Sequence, residues 1–397
     1  MRSISIYLCL FLATTLLGCS TQSPDGTSSP EQTQRVQSGS VRAWGGGTKA
    51  WSGGTKAWSG GSGPTEVSGA ILNENAAIWN KLSLQVAHQV LAPKLGTGVT
   101  VAVIDTGIDS AHPIFAGRLV KAALWRDFVD GDEAPEEVEG AAFGHGTLVA
   151  SLVLQVAPEA KLMPLRVLDG DGSGDPEDVA EAVAYAVAQG ADIMQLSLGT
   201  EAPSDTLEAA VAEAARQGIY VVASAGNSNA NPTYPAYTAM LEGPTGNMSV
   251  GVGSVNLQDL KSPFSNFAPE GGATEDGLEM VAFGEGIYGA VPGEQIAAWD
   301  GTSMATPLVA GALALALGEG AERLSPGTLA LEVVDSSLEI DAEGTANGTP
   351  YELEQRLEVG LFLCSALNLG VAQCQEAFDE ALDDDDDDGD DESEDDS

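Results

Sequence analysis

Ser303 lies in the run Asp300-Gly-Thr-Ser303-Met-Ala-Thr-Pro-Leu-Val-Ala-Gly311, between a Gly-Thr turn and a stretch of small apolar residues. Residues 305–317 read as a buried helix, with Pro307 in its first turn, where a missing N–H costs little. A serine there meets unpaired backbone N–H groups and the positive end of the helix dipole, which favour a developing negative charge. Its hydroxyl is a weak nucleophile until a base removes the proton. The chain has three histidines to supply that base. His88 falls on an amphipathic helical pattern over 76–91 and reads as structural. His112 precedes Pro113 and reads as a turn or surface residue. His145 sits between Gly144 and Gly146 at the start of a small-residue helix reaching about Val156. Glycines on both sides let its ring approach another backbone closely, so it is the favoured base. Asp105 ends the β-branched run Val99-Thr-Val-Ala-Val-Ile104. A carboxylate at the end of a buried strand costs free energy unless paired, and an imidazolium is a suitable partner. Asp105, His145 and Ser303 together suit acyl transfer, which also needs donors for a tetrahedral oxyanion.

The elements that must position these residues alternate. Strands are expected over 99–104, 162–168, 191–196 and 219–223, the last ending at Ser224-Ala-Gly-Asn227. Helices are expected over 76–91, 176–189, 204–217, 325–334 and 352–367. The 176–189 helix carries Val179, Ala182, Val183, Ala186 and Val187 on one face, with Asp175 as its cap. Such alternation implies right-handed crossovers and an α/β, doubly wound, mainly parallel sheet with helices on both faces. Ligands of such sheets bind outside the carboxyl ends of the strands. Asp105 and Asn227 both follow strand ends.

Val101-Ala-Val-Ile-Asp105-Thr-Gly-Ile-Asp109, Gly144-His145-Gly-Thr147 and Gly301-Thr-Ser303-Met-Ala-Thr-Pro307 resemble the three signature segments of the subtilisin-like serine proteases, including their Asp, His, Ser chain order. The similarity runs over roughly 75–370. It takes in Arg166-Val-Leu168, Gly172-Ser-Gly174, Leu196-Ser-Leu-Gly199 and Ala223-Ser-Ala-Gly-Asn227. The resemblance implies that Ser303 is the nucleophile, His145 the general acid/base and Asp105 its orienter. The Asn227 amide and the Ser303 N–H would hold the oxyanion. Gly172, Ser173, Gly174, Ser197, Leu198 and Gly199 would pair with an extended polypeptide substrate. Ser197–Gly199 with Ser224, Ala225 and Gly226 would wall the primary specificity pocket, with Thr233 near its floor. A small or medium apolar side chain is expected in that pocket. The rival class is a non-catalytic relative that binds peptides or holds envelope proteins together; a fluorophosphonate probe separates the two.

The ends of the chain differ in kind from its middle. Residues 1–18 have the charge and apolar run of a signal peptide, and Leu16-Leu17-Gly18-Cys19 resembles the lipobox of bacterial lipoproteins. That resemblance implies lipidation of Cys19 and attachment to a membrane in the cell envelope. Residues 19–64 are rich in Ser, Gly and Thr and read as a flexible tether. Within them Ala43-Trp44-Gly-Gly-Gly-Thr-Lys49 recurs as Ala50-Trp51-Ser-Gly-Gly-Thr-Lys56 and Ala57-Trp58-Ser-Gly-Gly. The tryptophans are either contacts for envelope, glycan or a docking groove, or merely part of a spacer. A peptidase domain is expected over 65–370, a C-terminal extension over 371–382 and an acidic tail over 383–397. Lys+Arg is 16 against Asp+Glu 59, for a net charge of −43, and only twelve of the acids lie in the tail. A body this acidic repels nucleic-acid phosphates. With Cys9 in the signal and Cys19 lipidated, Cys364 and Cys374 are expected to form a disulfide worth about 2–3 kcal/mol.

Four departures from the family pattern stand out. The 147–156 helix runs straight into Ala157-Pro158, where secreted bacterial members carry a calcium loop, so no tight calcium site and no cofactor is expected. Leu148 and Leu308 replace the histidines usual beside the catalytic His and Ser. Gly243–Gly246 reads as an insertion near the cleft. No folded pro-domain is visible before the peptidase domain. Such a chain folds unaided, is restrained in another way, or uses the tryptophan repeat as a mask. A monomer is expected.

Overall fold

The computed structural model describes residues 41–43, 72–236, 249–267, 280–321 and, with short interruptions, 336–383. The signal segment, Cys19, most of the tether, the 325–334 helix, Gly243–Gly246 and the tail beyond 383 lie outside the described residues.

Among the described residues the central sheet has nine strands. In spatial order they are β3 (Arg126–Asp127), β4 (Lys161–Arg166), β2 (Thr100–Asp105), β6 (Ile193–Leu196), β8 (Tyr220–Ser224), β9 (Ser249–Val255), β10 (Met280–Phe283), β16 (Gln355–Arg356) and β13 (Leu338–Glu339). Every pairing is parallel except β13 with β16. Alternate side chains enter two separate cores. Val101 and Val103 of β2 and Tyr220 and Val222 of β8 face one core, while Ala102, Ile104, Val221 and Ala223 face the other. Burial on both faces is why these strands read as unbroken apolar runs.

The first core is covered by α3 (His145–Val156) and α6 (Thr302–Gly318), the second by α4 (Pro176–Ala188) and α5 (Asp205–Arg216). Asp175 caps α4 by accepting from Glu177 N, and Ser204 caps α5 by accepting from Leu207 N. The expected doubly wound sheet is therefore the one found. After β2 the chain goes to β4 on one side and then returns to β6 on the other, so the strand order reverses between β4 and β6 at β2. The crevice at the carboxyl ends of β2 and β6 is the switch point where such sheets bind ligands.

Three local expectations are corrected. The helix of 76–91 breaks: α1 (Ala76–Lys81) stops before Ser83, which takes a left-handed φ of 50°, and α2 (Leu84–Val86) leads into a wider turn over Ala87–Leu91. The 352–367 helix is instead β16 followed by α7 (Val359–Ala366), because Arg356 pairs with Val281 at the sheet edge. Glu358 then starts α7 by accepting from Leu361 N. The serine helix begins at Thr302, three residues earlier than expected, so Pro307 lies beyond its first turn. α8 (Val371–Asp383) follows α7, and Cys364 and Cys374 are bonded across the two, with Cα atoms 5.7 Å apart. Among the described residues no helix is long and apolar enough to cross a membrane.

Candidate active site

Asp105 closes β2 and is 1% exposed. Its Oδ1 accepts from Thr106 N at 2.7 Å and lies 2.6 Å from His145 Nδ1. With Nδ1–H donating to the carboxylate, the neutral ring carries its free lone pair on Nε2. Nε2 is buried and has no hydrogen-bond partner. His145 is the first residue of α3, and Gly146 beside it has no room for a side chain, since a Cβ would fall 2.1 Å from Gly107 O. That contact is what brings the histidine turn against the end of β2.

Glu137, which no motif marks, ties this junction together. Its Oε2 accepts from Thr106 Oγ1 and Gly144 N, each at 3.1 Å; its Oε1 accepts from Thr147 N and Thr147 Oγ1, each at 2.9 Å. Thr106 Oγ1 in turn accepts from Gly146 N at 2.9 Å. One carboxylate thus binds the residue after Asp105 and residues on both sides of His145. Burial pushes its carboxyl above the usual carboxylate range, opposed by the Thr147 and Gly144 donors. In the sequence it lies in Glu136-Glu137-Val-Glu139, which looks like any solvated acidic loop. The other histidines have the roles of packing groups. His88 Nε2 lies 2.7 Å from Val156 O at the end of α3, and burial lowers its pKa. His112 accepts from Ile114 N in its turn, as expected, but is 8% exposed and therefore not a surface residue.

Ser303 is the second residue of α6 and is fully buried. Its hydroxyl donates to Ser197 O at 3.2 Å, and its carbonyl accepts from Ser197 Oγ at 2.8 Å. Pro307 explains the second bond. In a regular helix the Ser303 carbonyl would accept from the N–H four residues on, which proline lacks. Ser197, directly after β6, supplies the missing donor. Helices α3 and α6 pack with Gly311 against Val153 and Val156, so both begin at the same end of the sheet. The Trp299 ring, three residues before α6, lies 5.9 Å from the His145 ring. This tryptophan, too, lies outside the motif segments.

Asn227 follows β8. Its Oδ1 accepts from Thr302 N and from Thr302 Oγ1, both at 3.0 Å. A backbone N–H identifies the accepting atom as oxygen, which turns Nδ2 to the opposite side. Thr302 Oγ1 also accepts from Gly226 N at 3.1 Å. The threonine therefore fixes the asparagine to the start of the serine helix.

The edges expected to pair with substrate are β5 (Ser173–Gly174), preceded by Gly172, and β7 (Leu198–Gly199). A third strand, β1 (Val41–Ala43), lies between them. Gly226, expected at the pocket wall, has φ +102° and a Cβ there would fall 2.5 Å from Asn266 Nδ2. Thr233 donates to Ala225 O through its N at 2.9 Å and its Oγ1 at 3.2 Å, and Asn266 Nδ2 reaches the same oxygen at 2.9 Å. Leu148 and Leu308 are both fully buried in the first core. The Arg166 guanidinium turns to Asp127 and Asp130, each at 2.6 Å, and braces the sheet edge.

The family model of the subtilases matches residues 96–356. Thermitase of Thermoactinomyces vulgaris is 37% identical over 236 residues, covering 57% of this chain and 77% of that protein. The major intracellular serine protease of Bacillus subtilis is 33% identical over 290 residues, covering 66% and 85%. The crystal structure of a cold-adapted subtilisin-like serine proteinase superposes with a TM-score of 0.56 at 32% identity, covering 66% of this chain and 89% of that one. The motif segments, the fold and these likenesses converge: the chain belongs to the subtilase family and is a serine-type peptidase.

Proposed function

We propose that the protein hydrolyses polypeptides through an acyl-enzyme formed on Ser303, with His145 as general acid/base and Asp105 as its orienter. The observation that carries this reading is the 2.6 Å contact of Asp105 Oδ1 with His145 Nδ1, which leaves Nε2 buried and unengaged. In the first step the Ser303 hydroxyl turns from Ser197 O to Nε2, gives up its proton and attacks the scissile carbonyl. The oxyanion is received by the Ser303 N–H at the start of α6 and by Asn227 Nδ2. The amine leaves with the proton held on Nε2, and water repeats the sequence to release the acid. A fluorophosphonate probe is expected to label the protein at Ser303, and Ser303→Ala to abolish labelling. An unlabelled wild-type protein refutes the reading.

The same proposal includes a lipid anchor on Cys19, a monomeric catalytic domain, and stability that does not depend on tightly bound calcium. The last is supported by α3 running without interruption to Val156 and capping on Ala157. An alkyne fatty acid fed to cells should label the wild-type chain and not Cys19→Ala. A chelator should leave Tm unchanged; a fall of several degrees argues against the calcium-free reading.

A further inference from the structure

Lys261 follows β9 and bridges back to Val255 at its end. Its side chain is partly buried. The ammonium has three acceptors, one for each of its protons. Nζ lies 2.8 Å from Asn229 Oδ1, 2.7 Å from Ser265 O and 3.1 Å from Ser262 O. The rings of Phe267 and Tyr351 flank it, with centroids 5.2 and 5.4 Å from Nζ. Ring faces attract a cation electrostatically. Among the described residues no carboxylate pairs with this ammonium, in a chain with 59 acidic residues. Burial pushes its pKa down to about 8, so it is a cation at neutral pH. Lysines ordinarily keep the charged head in water. Here neutral carbonyl oxygens and ring faces replace both water and counter-ion, as they do in sites built for small cations.

The three oxygens come from two segments. Ser262 and Ser265 bracket a turn closed by Ser265 N on Ser262 O at 3.0 Å. That turn presents Asn266, which is buried and commits its whole amide to the segment opposite. Its Oδ1 accepts from Ser228 N and Ala230 N, and its Nδ2 donates to Ala225 O and Asn231 O. Asn229 lies in that opposite segment, with a left-handed φ of 51°, and its N donates to Phe264 O at 2.8 Å. The segment continues from Gly226 and Asn227, the expected pocket wall and the proposed oxyanion donor. Residues 228–233 have no helix or strand of their own, so contacts with 261–267 set their shape. Carbonyl dipoles converging on one point repel one another unless a positive charge lies between them. Lys261 supplies that charge.

We propose that Lys261 is a positioning residue for substrate, and that the oxygens and rings around its ammonium form a site for a primary ammonium ion, which the chain fills with its own side chain. The substrate role rests on the peptidase reading above. The ammonium holds residues 228–231 on the 262–265 turn and so fixes the pocket wall that precedes them. Without the charge the two segments separate, and the wall receives substrate less well. Ser303, His145 and Asn227 keep their own ties through Ser197, Asp105 and Thr302. The effect therefore falls on KM rather than kcat.

The test uses the full chain and a peptide p-nitroanilide with an apolar residue before the cleaved bond, with active sites counted by fluorophosphonate labelling. Lys261→Met keeps an unbranched stem and removes the charge. Its KM should rise about fivefold or more, with kcat per labelled site little changed. Asn229→Gly tolerates the left-handed φ, removes one of the three oxygens and should raise KM in the same direction. Lys261→Ala leaves room for the missing stem and charge, and n-propylammonium is that missing piece. It should return the KM of this variant towards the wild-type value. Tetramethylammonium, a cation with no N–H, and n-propanol, a stem with no charge, should not. Propylammonium alone of the three should also raise the Tm of Lys261→Ala. A fall in kcat with KM unchanged marks a purely structural residue and overturns the substrate role. Equal effects of the three additives on Lys261→Ala overturn the cation site. A wild-type chain that does not label overturns the peptidase reading and the substrate role with it, while the melting comparison still decides the cation site.

Discussion

Each residue proposed to react is held by a neighbour with no part in the proposed chemistry. Asn227 is aimed by Thr302, which occupies its oxygen from both backbone and hydroxyl. Asn227→Ala should lower kcat by about 10²–10³, the magnitude known for a subtilisin that loses such a donor. Its KM should change little. Glu137 has the corresponding role for Asp105 and His145. Its raised pKa means that ionising it in the folded state costs stability. The sign follows from linkage: the folded state holds this proton more tightly, so stability is lost as pH rises through the folded pKa. Glu137→Gln removes that loss. The stability of wild type relative to the variant should therefore be greater at pH 4 than at pH 8, as read by Tm at the two values. A difference that is flat or reversed counts against the assigned shift.

At the level of elements, α6 contains a proline that breaks its own hydrogen-bond ladder beside the proposed nucleophile. The Ser303 carbonyl accepts from Ser197 Oγ, which couples the serine helix to β7, the edge proposed to pair with substrate. Ser197→Ala removes a hydrogen bond to a buried carbonyl and should cost about 1–3 kcal/mol in denaturant unfolding. Adding Pro307→Ala returns a helical N–H to that carbonyl. The double variant should recover most of the loss, and a strictly additive cycle refutes the coupling.

Across the whole molecule, charge and a covalent tie act on stability. With a net charge of −43, the folded chain repels itself. Raising salt from about 0.01 to 0.15 M shortens the Debye length from about 30 to 8 Å and should raise Tm; a Tm that falls contradicts this. The Cys364–Cys374 bond closes ten residues of sequence, so replacing both cysteines with serine should cost about 2–3 kcal/mol.

Strands β2, β4, β6 and β8 and helices α3 to α5 were legible in the sequence because local rules govern them: period, caps, and glycines where only glycine fits; β9 and β10 of the same sheet were not foreseen. The residues proposed to react stood out for the same reason, since each sits in a short motif at an element end. Glu137, Trp299 and Thr302 carry no such local mark. Their roles arise from contacts with residues 7 to 154 positions away in the chain, from Glu137 on Gly144 to Trp299 on His145. The break at Ser83 and the strand at Gln355–Arg356 were hidden likewise, because a sheet edge and a packed turn override local helical spacing. Sequence alone thus determined which chemistry the chain can perform and which repeat precedes it. Only tertiary structure decided that β1 of the tether lies between the two edges of the cleft, because strand pairing joins segments far apart in the chain.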